Sequence, residues 1–175
     1  IPVIVVEPTS LSYTENDSAT MVSSTLSVTD SDNLTLANAI VSIANGLVVS
    51  EDVLAANTSG TNITASYNVN TGVLLLSGSD TLANYQTVLR SVTYFNTSGN
   101  PSTATRTVRF VANDGLADSL PATRDIQVIA VDESARVSVA GTVVSLTDPD
   151  GPTASDLIFS LVGGKLRISE GMSRP

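Results

Sequence analysis

Two pairs of aspartates carry the clearest chemistry in this sequence. Asp30 and Asp32 stand two residues apart after a run rich in β-branched residues, and Asp148 and Asp150 repeat that arrangement near the end of the chain. Such a pair in a turn offers several hard oxygen atoms to one cation, and calcium takes about six to eight oxygen ligands. A glycosidase would instead need two carboxyl groups on either side of a cleft. The pairs therefore favour a cation site over hydrolysis.

The residue types that the sequence lacks exclude several other kinds of site. The chain contains no histidine and no cysteine, so a Ser-His-Asp or Cys-His catalytic site cannot be built from it. A formal net charge of −9 disfavours a nucleic-acid partner, which would require basic patches. We therefore predict a protein that is not an enzyme and does not bind nucleic acid.

The composition and the hydrophobic pattern predict an all-β protein. Apolar residues make up 42% of the chain and charged residues 14%, well below the usual charged share of about 25%. Short runs rich in Val, Ile and Thr alternate with turn-forming Ser, Asn, Asp and Gly, a pattern typical of strands and tight turns. The predicted strands are Met21–Val28, Ala39–Ala44, Ile63–Val69, Val73–Leu76, Arg106–Ala112 and Asp125–Val131.

Two segments predict a more specific local structure. The run Val69–Val73 contains Asn, Thr and Gly between two predicted strands, which indicates a tight hairpin turn. The segment Ser79–Leu89 carries its apolar residues at helical spacing, and Ser79 or Asp80 is the predicted N-cap. We expect a short helix across one end of a β-sandwich, with its apolar face in the core.

An internal repeat sets the domain organisation. When the chain is shifted by 118 residues, an ordered set of identical residues aligns without a gap. The pairs are Glu15 with Glu133, Ser27 with Ser145, Thr29 with Thr147, Asp30 with Asp148, Asp32 with Asp150, Ile40 with Ile158, Ser42 with Ser160, and Gly46 with Gly164. The repeat predicts a leading strand or linker at residues 1–7, a complete repeat at 8–131 and an incomplete second repeat at 132–175.

The two ends of the chain leave alternatives open. A half-sandwich would expose its apolar face and its strand edges, so the second repeat belongs to a longer tandem protein or is completed by another chain. The run Ile1–Val6 resembles Ile126–Val131, the last predicted strand of the full repeat. It is therefore a strand left from a preceding repeat or a strand donated to a neighbour.

Several short segments match a known family in order and spacing. They are Tyr13–Asn16 followed by Leu26–Asp32, the second copy Ser145–Gly151, and Val111–Gly115 followed by Ile126–Val128. In these segments the chain resembles the opening and the end of a cadherin repeat.

The middle of the repeat narrows this resemblance. Leu82–Tyr94 is unlike animal cadherins and is similar to the cadherin-like tandem repeats of very large microbial surface proteins and adhesins. The resemblance implies an all-β fold, a Greek-key (Ig/cadherin-like) β-sandwich with one short helix. It also implies a location outside the cell or on its surface.

The resemblance further implies calcium at the junctions between repeats, because cadherin repeats bind that ion there through oxygen ligands from both domains. Glu15 would reach towards the junction that follows its own repeat. The other implied ligands are Asp132 and Glu133 in the linker, Asp148, Asp150 and Asp156 from the second repeat, and Asp30, Asp32 and Asn38 facing the preceding junction.

Two departures from the family pattern reduce the number of ligands. The Asp-x-Asn-Asp-Asn linker and the Asp-Arg-Glu motif of the family are both missing here. We therefore do not expect a full multi-calcium cluster, and one calcium ion at each junction is one of two interpretations. The alternative is that the aspartates only cap turns, by accepting hydrogen bonds from backbone N–H groups.

Five Asn-x-Ser/Thr sequons suggest a covalent partner. We expect each to lie in a loop or at a strand end, where an attached glycan would stand in solvent. The candidate glycosylation sites are Asn16, Asn33, Asn57, Asn62 and Asn96.

These observations predict a structural or adhesive repeat that joins head to tail with copies of itself or with neighbouring repeats. A contact of this kind that does not close generates a fibre, and strand sharing is one way to form it. The alternative function is an accessory module that recognises a glycan or a surface receptor. No stretch of the sequence reaches transmembrane length, so we expect no insertion into a membrane.

Overall fold

The computed structural model divides the chain into two units, Ile1–Val131 and Asp132–Pro175. It describes residues 1–131 and, beyond them, the backbone of strands at 136–140, 143–147, 157–162 and 165–170. The first seven residues, expected as a leading strand or linker, belong to the first unit, and Ile4 is buried in its core.

The first unit is built from eleven strands and one short helix, so the all-β prediction is confirmed. In chain order they are β1 (Val3–Val5), β2 (Leu11–Thr14), β3 (Thr20–Met21), β4 (Ser27–Thr29), β5 (Thr35–Asn45), β6 (Asp52–Ala55), β7 (Thr64–Asn68), β8 (Val73–Thr81), α1 (Leu82–Arg90), β9 (Thr93–Asn96), β10 (Arg106–Asn113) and β11 (Ala122–Ile129).

The strands form two main sheets and one small one. The six-stranded sheet has the order β2-β11-β10-β5-β8-β7, the three-stranded sheet has the order β3-β9-β6, and β1 pairs with β4. All pairs within the six-stranded sheet are antiparallel except that of β2 with β11, which is parallel. The chain crosses from β5 to β6, returns for β7 and β8, and crosses again through α1 to β9. Such crossings are typical of Greek-key sandwiches.

Alternating side chains bury one face of each main sheet in a shared core. In β10, Val108 and Phe110 are buried, and Leu74 and Leu76 of β8 lie on the same side of the sheet. The three-stranded sheet contributes Leu54 and Tyr94 to the same apolar cluster. This period-two burial produces the sandwich-like arrangement of the first unit.

The predicted hairpin turn is confirmed, and it connects β7 to β8. Asn68 pairs with Val73, and the N–H of Gly72 donates to the Asn68 carbonyl at 2.9 Å. Gly72 has a φ of 65°, a left-handed conformation that glycine adopts without steric cost.

The predicted helix is present, but its predicted N-cap is wrong. The helix starts at Leu82 and is capped by Thr81, whose hydroxyl accepts from the N–H of Asn84. Ser79 and Asp80 belong to β8 instead, because β8 continues its pairing with β5 as far as Thr81.

The predicted single strand Met21–Val28 is wrong as well, since the chain changes partners inside it. Met21 pairs with β9, whereas Ser27 and Val28 pair with β1. The helix covers the free edge of β4: the Gln86 side-chain oxygen Oε1 accepts from the Val28 N–H at 3.0 Å, and Arg90 Nε donates to the Leu26 carbonyl at 2.6 Å.

A buried ion pair joins the two main sheets at one end of the sandwich. Arg106 of β10 donates through Nε to both carboxylate oxygens of Asp52 on β6 at 3.2 Å, and both side chains are fully buried. Its Nη2 donates to Glu51 at 3.1 Å, and its Nη1 donates to the carbonyls of Ser102 and Ala104. Each of the three guanidinium nitrogens therefore has at least one hydrogen-bond acceptor, and a charge is buried at tolerable cost only when it is paired in this way.

Two tyrosines extend this polar network into the three-stranded sheet. The Tyr94 hydroxyl donates to Asp52 at 2.6 Å, and burial together with this hydrogen bond raises the pKa of Tyr94. The Tyr13 ring packs edge-on against Tyr94 with a centroid distance of 5.0 Å, and the Tyr13 hydroxyl accepts from the Asn96 N–H at 3.2 Å. The network thus connects β2, β6, β9 and β10.

A second carboxylate, Glu7, holds the segment between β1 and β2 against the β3–β4 loop. It accepts hydrogen bonds from the Ser23 hydroxyl and from the N–H and hydroxyl of Thr25, and it pairs with Arg124 at 3.3 Å. Burial opposes ionisation, but the hydrogen bonds from Ser23 and Thr25 outweigh it and lower the pKa of Glu7 from 4.5 to about 2. Folding therefore stabilises the ionised form of Glu7.

The second unit contains two described hairpins. In the first, β12 (Arg136–Ala140) pairs with β13 (Val143–Thr147), and in the second, β14 (Leu157–Val162) pairs with β15 (Lys165–Glu170). The shift of 118 residues maps β4 onto the last part of β13 and β5 onto a range that includes β14.

The ion pair gives a stability prediction. Replacing Asp52 with alanine leaves the Arg106 charge buried without its main partner, so the free energy of unfolding should fall by about 3–5 kcal/mol. Urea unfolding followed by circular dichroism measures this loss. The matched control is Asp125→Ala, because Asp125 is exposed and should change the unfolding midpoint little; equal midpoints for both variants would contradict the role of the pair.

Glu7 gives a pH prediction. Its folded pKa lies below its ordinary value, so its stabilisation is fully present above pH 4.5 and is lost as the pH falls towards 2. Glu7→Gln should lower the unfolding free energy by about 1 kcal/mol at pH 7. The difference from the wild type should shrink steadily between pH 4.5 and 2 in urea unfolding series. A difference that stays constant over that range would rule out the ionised carboxylate as its cause.

Candidate cation site

The fold brings three aspartates together at one end of the first unit. Asp30 follows β4, Asp32 lies two residues further on, and Asp114 follows β10. Each offers a carboxylate oxygen, and these oxygens lie within 4.8 Å of one another. Two of the three are the predicted ligands of the preceding junction, and the third comes from a strand more than eighty residues away.

Burial makes this cluster unusual among surface acids. The Asp30 side chain is fully buried and that of Asp114 is 2% exposed, whereas that of Asp32 is 66% exposed. Asp30 Oδ2 is buried and has no hydrogen-bond partner. A buried carboxylate oxygen without a partner lowers the stability of the fold. A hydrogen-bond donor or a cation beside Asp30 Oδ2 would remove this cost.

Asp114 is held in place by the turn that follows β10. Its Oδ1 accepts from the N–H groups of Leu116 and Ala117 at 2.8 and 2.7 Å, and its Oδ2 accepts from Asn33 Nδ2 at 3.1 Å. The N–H groups of Ala117 and Leu116, with a smaller contribution from Asn33, lower the pKa of Asp114. The carboxylate is therefore ionised and rigidly placed.

A positive charge lies between the three carboxylates. The α-ammonium nitrogen of Ile1 is 2.9 Å from Asp32 Oδ1, 3.1 Å from Asp30 Oδ1 and 3.8 Å from Asp114 Oδ2. Hydrogen bonds to Asp32 and Asp30 raise the pKa of this ammonium from 8.0 to about 10. The Asp30 carboxyl and the ammonium together lower the pKa of Asp32. The ammonium thus lies where a metal cation would have three oxygen ligands.

Asp114 was not among the ligands predicted from the sequence. It lies in the segment Val111–Gly115, in which Asn113, Asp114 and Gly115 form the turn, and that motif was the signal that could have identified it as a candidate ligand. Asn38, which was assigned, lies within β5 opposite Asn113 and Ser77.

Glu15 lies at the opposite end of the first unit. Glu15 directly follows β2, and β2 runs parallel to β11, so Glu15 lies beside the C-terminal end of β11. Asp114, by contrast, comes before the N-terminal end of β11. An eight-residue strand separates them, a length of roughly 26 Å. Glu15 is 4% exposed; its Oε2 accepts from the Val131 N–H at 2.8 Å, and its Oε1 is buried without a partner.

The remaining predicted ligands belong to the second unit. Asp132, Glu133, Asp148, Asp150 and Asp156 lie outside the described residues.

The five sequons differ in how accessible their asparagines are. Asn16, Asn57 and Asn62 are exposed, and Asn33 is half-buried with its Nδ2 bonded to Asp114. Asn96 does not have the expected exposure: it is 4% exposed, and its Nδ2 donates to Asp52 at 3.2 Å and to the Tyr94 hydroxyl at 3.3 Å. A glycan on that nitrogen would have to displace the polar network between the sheets.

Comparison with known proteins gives a similarity to a segment of one long protein. No family model matches the chain. Halomucin from Haloquadratum walsbyi is 40% identical to it over 86 residues. The match covers 47% of this chain and 1% of Halomucin. The chain is therefore similar to a small segment of a much longer protein.

The only helix among the described residues, α1, has nine residues. None of the residues that the structure describes belongs to a helix long and apolar enough to cross a bilayer.

The accessibility of the sequons gives a modification prediction. In a eukaryotic secretory host, Asn57 and Asn62 should carry N-glycans, whereas folded protein should be unmodified at Asn96 because its Nδ2 is buried and bonded. Mass spectrometry of proteolytic peptides measures occupancy at each asparagine. High occupancy at Asn96 in protein that unfolds like the unglycosylated form would contradict the placement of that side chain.

Proposed function

We propose that this chain is a surface-associated structural or adhesive repeat that joins end to end with repeats of the same kind through a calcium ion. The observation that carries the proposal is the position of the two unpartnered carboxylate oxygens. Within residues 1–131, the buried side-chain atoms without a hydrogen-bond partner are Asp30 Oδ2 and Glu15 Oε1. They lie at opposite ends of the first unit. A head-to-tail contact between two such units would bring the Asp30 end of one unit against the Glu15 end of the other.

The chemistry of the cluster supports calcium as the cation. Asp30, Asp32 and Asp114 offer hard oxygen ligands from two loops, and the Asn33 side chain lies beside them. Three carboxylates leave coordination positions of the ion open, and a carboxylate from a second repeat could fill one of them. In this proposal Glu15 has that role for the repeat that follows it.

The internal repeat supports assembly in series. Glu15 precedes Asp30 by the same number of residues as Glu133 precedes Asp148, so the residues of both ends recur in the same order. Heterologous contacts of this type build filaments when they do not close into a ring.

The pairing of β14 supports strand sharing as a further link. Its equivalent in the first unit, β5, lies between β10 and β8, whereas within the described residues β14 pairs with β15. Strands from another repeat or another chain would complete that sheet.

The similarity to a segment of Halomucin supports the surface location. The matched segment is 1% of that large surface protein, which fits a repeat unit within a very long chain. The exposed sequons Asn57 and Asn62 fit covalent glycans on such a protein.

Calcium titration tests the site. Isothermal titration calorimetry should detect binding to the wild-type chain and its loss, by at least about tenfold in affinity, in Asp30→Asn/Asp32→Asn, because that variant removes two ligand charges. Asp17→Asn/Asp125→Asn removes the same charge from exposed positions and should bind like the wild type. Two glycines added before Ile1 convert its ammonium into an uncharged peptide N–H and should tighten binding. Equal affinity of the two double variants would exclude the cluster as the site.

Electron microscopy tests the assembly. We expect filaments in calcium that loosen when a chelator is added, because the ion bridges the ends. Filaments that persist in chelator would place strand sharing or packing, rather than calcium, at the contact. Isolated particles under both conditions would contradict end-to-end assembly.

A further inference from the structure

Three leucines at the end of the first unit are almost fully exposed. Leu34, Leu116 and Leu120 are 85%, 87% and 84% exposed, while the next most exposed large apolar residue in residues 1–131 is Ile1 at 60%. Single exposed apolar residues are common, but these three lie in the loops that form one end of the sandwich. We refer to Leu34, Leu116 and Leu120 as the leucine collar.

The leucine collar lies in the loops that carry the candidate cation site. Leu34 directly follows Asn33, whose Nδ2 donates to Asp114. The N–H of Leu116 donates to the carboxylate of Asp114 itself. Leu120 lies in the same loop between β10 and β11, one residue after Ser119, which bonds to the end of β10.

The loops that carry the collar are tightly hydrogen-bonded. The Asp114 N–H donates to the Ala117 carbonyl at 3.3 Å, and the Ser119 N–H donates to the Ala112 carbonyl at 2.7 Å. The Asn113 side chain donates to Asp118 at 2.7 Å, and the carbonyl of Leu34 accepts from the first N–H of α1 at 3.1 Å. The leucines are therefore presented by a fixed backbone, which limits the entropy lost when a partner covers them.

The opposite end of the unit offers a matching apolar surface. Ile129 is 46% exposed and Val131 is 43% exposed. The Glu15 N–H donates to the Ile129 carbonyl, and the Glu15 carboxylate accepts from the Val131 N–H. Each end thus combines exposed apolar side chains with a carboxylate oxygen that lacks a partner.

We propose that the leucine collar packs against Ile129 and Val131 of a second copy of the repeat. This inference rests on the proposed end-to-end function and adds the residues that form the contact around the ion. The second copy is the expected occupant because the internal repeat places units of this kind in series along the chain. The covered leucines exclude water from the cation site and thereby strengthen its ionic contacts.

The test compares a collar variant with a matched control in the full 175-residue chain. The collar variant carries Leu34→Ser, Leu116→Ser and Leu120→Ser. The control carries Met21→Thr, Ile40→Thr and Leu75→Thr, which replace exposed apolar side chains on strands. Sedimentation velocity in calcium measures self-association over a range of concentrations, and calorimetry measures calcium affinity in parallel.

The collar variant should lose on the order of 100-fold in association constant, because it forfeits the burial of three leucines. At protein concentrations at which the wild type does not associate, the calcium affinity of the collar variant should stay within about threefold of the wild type. The control should associate normally, as expected for scattered surface substitutions. Association of the collar variant equal to the wild type would overturn this inference and leave the proposed function standing. A wild-type chain that does not associate in calcium would overturn both.

A lipid surface is the other partner that exposed leucines around a cation site could fit. Flotation with vesicles containing anionic phospholipid distinguishes the two partners. Vesicle binding that depends on the collar, together with unchanged self-association of the collar variant, would overturn the proposal in favour of a membrane surface. Absence of vesicle binding by the wild type in calcium would support the second copy as the partner.

Discussion

The burial of Arg106 is the constraint on which the rest of the first unit depends. A guanidinium cannot lose its charge, so its place between the sheets requires Asp52, Glu51 and the nearby carbonyls to converge on it. Arg106 is the first residue of β10, and Asp114 directly follows the last. The same strand is thus fixed between the sheets at one end and is followed at the other by Asp114 of the candidate cation site.

Acidic groups at both ends impose a second condition on how such units can meet. Asp30, Asp32 and Asp114 at one end and Glu15 at the other would repel each other across a direct contact. A bridging cation would convert that repulsion into attraction, and the contact would then depend on the ionic surroundings. The apolar residues beside the carboxylates have no such dependence, so the two contributions respond differently to salt.

The sequence predicted those features that depend on neighbouring residues. The β7–β8 hairpin follows from the Asn, Thr and Gly between two strands, and the helix follows from apolar spacing. The helix start was missed because β8 is extended by pairing with β5, which no local signal reveals. Asp114 was missed for the same kind of reason, since its approach to Asp30 depends on how β10 and β4 are arranged.

Other features could have been recognised from periodicity. Arg106 shares the inward phase of Val108 and Phe110 in β10, which indicates a buried charge that needs a partner. The partner itself, Asp52, could not be identified, because it lies 54 residues away on the other sheet. Asn96 was expected in solvent because its sequon resembles a loop, yet it completes the hydrogen bonds of that same buried carboxylate.

The parallel pairing of β2 with β11 has a mechanical consequence. Leu11 to Thr14 lie beside Ile126 to Ile129, and the contacts of Glu15 with Ile129 and Val131 prolong this ladder. When tension pulls the two ends of the unit apart, parallel strands near those ends are loaded in shear, so their hydrogen bonds must break together. An antiparallel pair loaded at one end would instead open one bond at a time. The geometry therefore gives the unit resistance to stretching along the direction in which a row of such units would carry force.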